Sequence, residues 1–216
     1  MRLLLIINYK HKASKQLVKF LKLKKISFDY IDSSKKKKIK ISKNYDYLIS
    51  FLNSMYINKS VRKKIKINSF NFHPGPPEYP GFGCYNFALL DKVNLYGSTI
   101  HIINNKFDSG KIVNVKKFKF SYKKFNLEKL ISKTHENIIK QAKDFINDIQ
   151  NNKLKIEVNL KWKKKAYTKK EFETARKINL KDSKKNILKK IKAFSYKNYE
   201  SVYLNFKGLK FELKKN

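Results

Sequence analysis

Three observations predict an α/β fold with a mainly parallel twisted sheet, helices on both faces and a small C-terminal β-hairpin extension. Strand-like and helix-like stretches alternate over the first 150 of 216 residues, the rhythm of a parallel sheet with crossover helices. The opening run Arg2–Asn8 is continuously apolar, as in a strand buried on both faces. A long amphipathic stretch, Asn126–Gln150, offers one apolar side with which to cover a sheet.

Each element follows from its pattern. After the first strand, Ser14–Leu23 places Leu17, Val18, Phe20, Leu21 and Leu23 on a helical stripe, with Ser14 as the expected N-cap. Ile26–Ile31 reads as a second strand, and Lys35–Lys38 as a solvated loop. Tyr47–Phe51 is a third strand and Ser60–Lys66 a short helix. Ile67–His73 alternates apolar and polar residues as a fourth strand, ending in a proline-rich loop. Cys84–Lys92 is a short helix, and Gly97–Ile103 and Ile112–Phe120 are strands. The long helix closes a core expected over 1–150. A shift in composition at Asn151–Lys153 then opens a Lys-rich extension over 151–216, with a terminal hairpin within Tyr199–Leu213.

Composition bounds the function. The chain carries 52 Lys+Arg against 16 Asp+Glu, a net charge of +36. Such a balance points to nucleic acid or an anionic surface. Yet the cations are Lys almost throughout, with Arg only at positions 2, 62 and 176, whereas groups that clamp phosphates or read bases favour the Arg fork. The excess therefore reads as compositional drift on solvated faces. With 41% hydrophobic residues the chain is too apolar for a disordered polycation. No apolar run reaches the roughly 18 residues of a membrane helix. The single Cys84 rules out an internal disulfide and suits a reducing cytoplasm. No metal-ligand spacing, Walker loop or dinucleotide fingerprint is present.

One window departs from the Lys drift. Asn71–Gly110 carries a net −1, leaving +37 for the rest, and holds all four prolines and five of the six glycines. Asn71 and His73 stand two apart at the end of the fourth strand, so they share a face at the sheet's carboxyl edge, where ligands of parallel α/β sheets bind. Asp108 lies in the turn Phe107-Asp108-Ser109-Gly110. An amide donor, an imidazole that titrates near neutrality and a carboxylate are the parts for acyl transfer to an amine. His101 is expected as a core or supporting histidine, His11 and His135 as surface residues, and Cys84 as a packing residue.

The run Asn71-Phe72-His73-Pro74-Gly75-Pro76-Pro77-Glu78-Tyr79-Pro80-Gly81, followed by Tyr85-Asn86-Phe87-Ala88, Gly97-Ser98-Thr99 and Phe107-Asp108-Ser109-Gly110, resembles the folate-dependent formyltransferases. It is most similar to the members that formylate nucleotide-linked amino sugars. That resemblance implies a Rossmann-like core, 10-formyltetrahydrofolate as co-substrate, no metal, and Asn71, His73 and Asp108 as the catalytic trio. It implies donor contacts from Ser50, Phe51, Leu52, Asn53, Met55 and Ile57, with Asp108. It implies acceptor contacts from Pro76, Gly81, Tyr85, Asn86, Trp162 and Tyr167, the last two as bases for nucleotide stacking. A GDP- or dTDP-linked 4-amino-4,6-dideoxy sugar destined for surface polysaccharide is the implied acceptor, with no membrane or nucleic-acid partner and a homodimer as the family's assembly. The alternatives are glycinamide ribonucleotide or methionyl-tRNA as acceptor, or a basic nucleic-acid-binding protein with an inactive core. Tyr9-Lys10-His11-Lys12 departs from the family's small, glycine-containing turn after strand one.

Overall fold

A computed structural model of the chain describes residues 1–36, 38–156, 159–196 and 201–213. Lys37 of the lysine run and Tyr199 and Glu200 of the expected hairpin lie outside these residues. Six strands, β1 (Arg2–Ile7), β2 (Ser27–Asp32), β3 (Tyr45–Phe51), β4 (Ile65–His73), β5 (Leu95–Ile102) and β6 (Ile112–Lys119), form one sheet in the order β2-β1-β3-β4-β5-β6. The first four strands in that order are parallel. β5 runs antiparallel to β4, and β6 to β5.

The apolar run of β1 is explained by burial on both sides. Leu3, Leu5 and Ile7 meet α1 (Lys12–Leu23) and α4 (Leu127–Gln150), while Leu4 and Ile6 meet Ile39, Ile57 and Val61 of α2 (Lys59–Arg62). α4 presents Leu130, Ile138, Ala142, Phe145 and Ile149 at helical spacing, and Asn126 caps it by accepting from Lys129 N. Ser14 is not the N-cap of α1. The helix starts two residues earlier behind His11, whose carbonyl accepts from the amides of Ser14 and Lys15, and Ser14 is buried on the core side.

The C-terminal part contains more than a hairpin. α5 (Lys169–Arg176), β7 (Lys177–Ile178) and α6 (Lys184–Phe194) precede β8 (Tyr203–Phe206) and β9 (Leu209–Glu212), and β7 adds a parallel strand, making a three-stranded sheet. Phe172, Ala193, Phe194 and Val202 share a core with Tyr79, Phe87 and Ala88 near α3 (Cys84–Leu90) and with Tyr96 of β5. Arg176, only 2% exposed, is held by Glu173, Glu212, the Ser201 carbonyl and the face of Tyr203.

Candidate active site

The carboxyl ends of β1, β3 and β4 open into a cleft of 1830 Å³. Alternation along β4 sends Phe70 and Phe72 into the core beneath α4 and leaves Asn71 and His73 on the opposite side. The antiparallel pairing of β4 with β5 sets Asn71 opposite His101. Asp108 then reaches back from the β5–β6 turn, in a left-handed conformation with φ 39°.

These groups form one buried cluster. Asp108 Oδ2 lies 3.1 Å from His73 Nδ1 and accepts from Gly81 N–H at 2.8 Å. Asp108 Oδ1 lies 3.1 Å from His101 Nε2 and accepts from Asn71 Nδ2 at 3.2 Å. Asn71 Nδ2 is also 3.1 Å from His101 Nε2. The carbonyl partners assign the imidazole protons. His73 Nε2 is 2.8 Å from Tyr79 O and His101 Nδ1 is 3.0 Å from Ile102 O. A carbonyl only accepts, so both nitrogens carry N–H. Nδ1 of His73, facing a carboxylate, is favourable when it carries the second proton. His73 is thus best satisfied as an imidazolium.

The electrostatics agree. Burial opposes charge on His73, but the Asp108 carboxylate beside it, with the Tyr79 carbonyl, raises its pKa above the ordinary value. Burial alone would also raise Asp108. The His73 charge and the contacts from both histidines instead hold it well below the carboxylate range. Burial pushes the Cys84 thiol up to about 12, which keeps it protonated and unreactive.

Two glycines make the arrangement possible. Gly81 has φ +87°, and a Cβ there would lie 2.4 Å from Tyr167 O. A Cβ on Gly110 would lie 1.7 Å from Ile102 O. The proline loop is fastened by the segment after α4. Lys163 N–H donates to Pro77 O, Tyr167 N–H to Pro80 O, and Phe82 N–H to Tyr167 O. Trp162 Nε1–H donates to Gly110 O at 2.8 Å, and its ring stands perpendicular to those of His101 and His73.

Residues 42–146 match the family described as Formyl transferase. No curated protein matches the chain. Among solved structures, a sugar N-formyltransferase from Shewanella sp. FDAARGOS_354 superposes with a TM-score of 0.81 at 17% identity, covering 99% of this chain and 96% of that one. A 4-N formyltransferase from Francisella tularensis gives 0.74 at 18% identity, covering 100% and 98%. The formyltransferase PseJ from Anoxybacillus kamchatkensis, solved with UDP-4,6-dideoxy-4-formamido-L-AltNAc and tetrahydrofolate, gives 0.66 at 22% identity, covering 81% and 89%. At these identities the likeness establishes a shared fold.

The fold brings most of the expected residues to the cleft. Ser50, Leu52, Asn53, Met55 and Ile57 line it, as do Gly81, Tyr85, Asn86, Trp162 and Tyr167. Asn53 shapes its loop by bonding the Met55 amide and carbonyl. Two residues are placed elsewhere. Phe51 packs into the core because alternation along β3 turns it toward Phe72, and Pro76 is off the wall, its carbonyl closing a turn onto Tyr79 N–H. Asn86 spends its amide on the Ala193 carbonyl, and Tyr167 stacks on Phe87 at 3.8 Å between centroids. His11 and His135, expected at the surface, are half-buried on the cleft wall, where they meet edge-on at 5.1 Å, and burial lowers both, His135 to about 4.

The charge reading changes as well. Lys10, Lys12, Lys106, Lys164, Lys165 and Lys169 all line the cleft, against Asp108 and Glu128 as the acids among the described lining residues. Three separate segments supply these lysines, so a sequence window cannot reveal them. The signal that could have done so is the Lys flanking of Trp162 and Tyr167.

Proposed function

We propose that the chain is an N-formyltransferase that moves a formyl group from 10-formyltetrahydrofolate to the amine of a nucleotide-activated amino sugar, for surface polysaccharide synthesis in the cytoplasm. The observation that carries this reading is the Asn71–His73–Asp108 cluster at the floor of a lysine-rimmed cleft within a formyl transferase domain. A cleft of 1830 Å³ exceeds the roughly 300–1,000 Å³ of a single-ligand site, as a two-substrate reaction requires. Its lysines suit two anionic ligands, a nucleoside diphosphate and a folate glutamate. The nearly full-length likeness to sugar N-formyltransferases, one solved with a formamido sugar and tetrahydrofolate, supports the choice of acceptor and donor.

The geometry supports the following residue roles. The sugar amine, neutral, attacks the formyl carbon; the C–N bond forms as the carbonyl electrons move to oxygen. Asn71 Nδ2 and the Nε2–H of the His73 imidazolium, now held by Tyr79 O, are the donors for that oxyanion. With both His73 nitrogens protonated, Asp108 is the better-placed acceptor for the amine proton. Collapse returns the carbonyl and breaks the C–N bond to the folate, whose nitrogen takes up the proton that Asp108 received from the amine. Leu52, Met55 and Ile57 give the donor an apolar wall.

The test is a formyl-transfer assay with 10-formyltetrahydrofolate against GDP-, dTDP- and UDP-linked 4-amino sugars, glycinamide ribonucleotide and methionyl-tRNA. Turnover on one or more nucleotide sugars is expected. Turnover confined to either of the last two acceptors, or salt-sensitive RNA binding without folate affinity, would overturn the reading.

A further inference from the structure

Trp162 makes contacts that go beyond the wall of a substrate pocket. Its indole N–H holds Gly110 O, the last carbonyl of the turn that carries Asp108 in a left-handed conformation. A non-glycine residue held there stores strain of about 1 kcal/mol or more, so the turn needs an outside tether. The residues that follow Trp162 bind the Pro77 and Pro80 carbonyls, and that same loop supplies the Gly81 N–H that grips Asp108 Oδ2. Trp162 therefore closes a circuit running from the turn through Asp108 and the proline loop back to its own backbone. Its ring lies across His101 at 5.2 Å and His73 at 5.9 Å, with interplanar angles of 79° and 70°. Both histidines are nearly excluded from water, at 2% and 4% exposure.

We propose that Trp162 is a positioning residue. Delivered from outside the sheet, it sets the placement of Asp108 and the dryness of the two histidines, and through them the rate of the chemical step. The proposal deepens the formyl-transfer reading for its kinetic consequence only. The titratable groups facing His73 are Asp108 from the β5–β6 turn, His101 beside it through Asp108, and Cys84 from α3, which feels the Asp108 charge. Trp162 adds no charge to this set. It governs how strongly the others act, because excluding water strengthens each pair.

The experiment compares Trp162→Phe and Trp162→Ala with the native protein by histidine imidazole titration in NMR and by steady-state kinetics across pH. In Trp162→Ala the His73 midpoint is expected to move by at least about half a pH unit, with His11 and His135 unmoved. A misplaced carboxylate of about 1 Å can cost 10²-fold, so kcat should fall by about 10- to 100-fold. KM for both substrates should stay within about threefold. Trp162→Phe, which keeps a ring and loses the N–H, should recover the His73 midpoint more fully than kcat. If Trp162→Ala does not fold, Trp162→Phe decides on its kcat. An unmoved His73 midpoint with unmoved kcat overturns the proposal, and so does a loss confined to KM for the nucleotide sugar, which would make Trp162 a stacking residue. If the native protein formylates none of the acceptors, the functional reading fails while the titration still judges Trp162.

Discussion

Asp108→Asn is the most discriminating change in the cluster, because it keeps shape and removes charge. In the native site one carboxylate oxygen serves Gly81 N–H and His73 Nδ1, and the other serves Asn71 Nδ2 and His101 Nε2. An amide has a single acceptor oxygen. Turned one way, its NH2 faces the Asn71 donor; turned the other, it faces the Gly81 donor. Either orientation leaves a buried donor without an acceptor, costing about 1–3 kcal/mol. The His73 imidazolium also loses its counter-charge, and a buried charge left alone costs about 3–5 kcal/mol unless it gives up its proton. The pH dependence has a definite sign. His73 is raised above its unfolded value near 6.5, so its stabilisation is complete below that pH and is lost as pH rises through the folded value. Asp108 is depressed, so its share is complete above the unfolded carboxylate value and is lost as pH falls through the lower folded one. The two windows overlap between about pH 4 and 6.5, where the substitution should do most harm. Urea unfolding should show a loss of about 3–5 kcal/mol near pH 5.5 and only about 1–3 kcal/mol near pH 8.5. The His73 imidazole should titrate below 6.5 in the variant, since burial is then opposed only by the Tyr79 carbonyl. An equal loss at both pH values, with His73 still titrating above 6.5, would refute the ion-pair assignment.

Other expectations are shorter to state. Asn71→Ala removes one donor to the oxyanion and should lower kcat by about 10²–10³-fold with an unchanged circular dichroism spectrum; near-native turnover would remove Asn71 from the chemistry. His135, lowered to about 4 by burial and the nearby His11, contributes stability that is full above about 6.5 and lost as pH falls toward 4. His135→Gln should therefore lose about 2 kcal/mol less than the native chain between pH 7 and pH 5 in urea titrations, and parallel curves would contradict its buried, neutral state. Lys165→Gln with Lys169→Gln should raise KM for the nucleotide sugar several-fold at constant kcat, with the difference shrinking near 0.5 M salt, since a rim charge is screened. A salt-independent effect would argue against an electrostatic role for the rim.

How much of this was legible depended on whether a feature is local in sequence. The core strands and α4 were, because burial on one or two faces imposes a period on neighbouring residues. The trio Asn71, His73 and Asp108 was legible because strand alternation and a turn signal point to it and the family resemblance selects it, whereas its assembly across the antiparallel β4–β5 pair was not. α5 and α6 were hidden by their lysines, although Thr168-Lys169-Lys170-Glu171 carries a capping box that the structure uses in full. His101 was legible as a core or supporting histidine, but the roles of Trp162 and Gly81 were not, since each depends on a contact between distant segments.

Charge gives the sharpest case. Where geometry demands a planar fork, the chain keeps arginine. Arg176 is buried among two glutamates, a carbonyl and a tyrosine face; Arg2 spans Asp29 and the Tyr45 ring; and Arg62 reaches Asn105. Lysine fills the remaining cationic positions, so the Lys excess alone carries no functional message. The message lies in which lysines the fold gathers. The charge-poor window supplies the floor of the cleft, where a stray cation beside His73 would weaken the imidazolium that Asp108 maintains. On the proposed function, the cationic rim would draw an anionic ligand in before it reaches that floor. A window average mixes these two zones with the solvated faces, and the fold separates them.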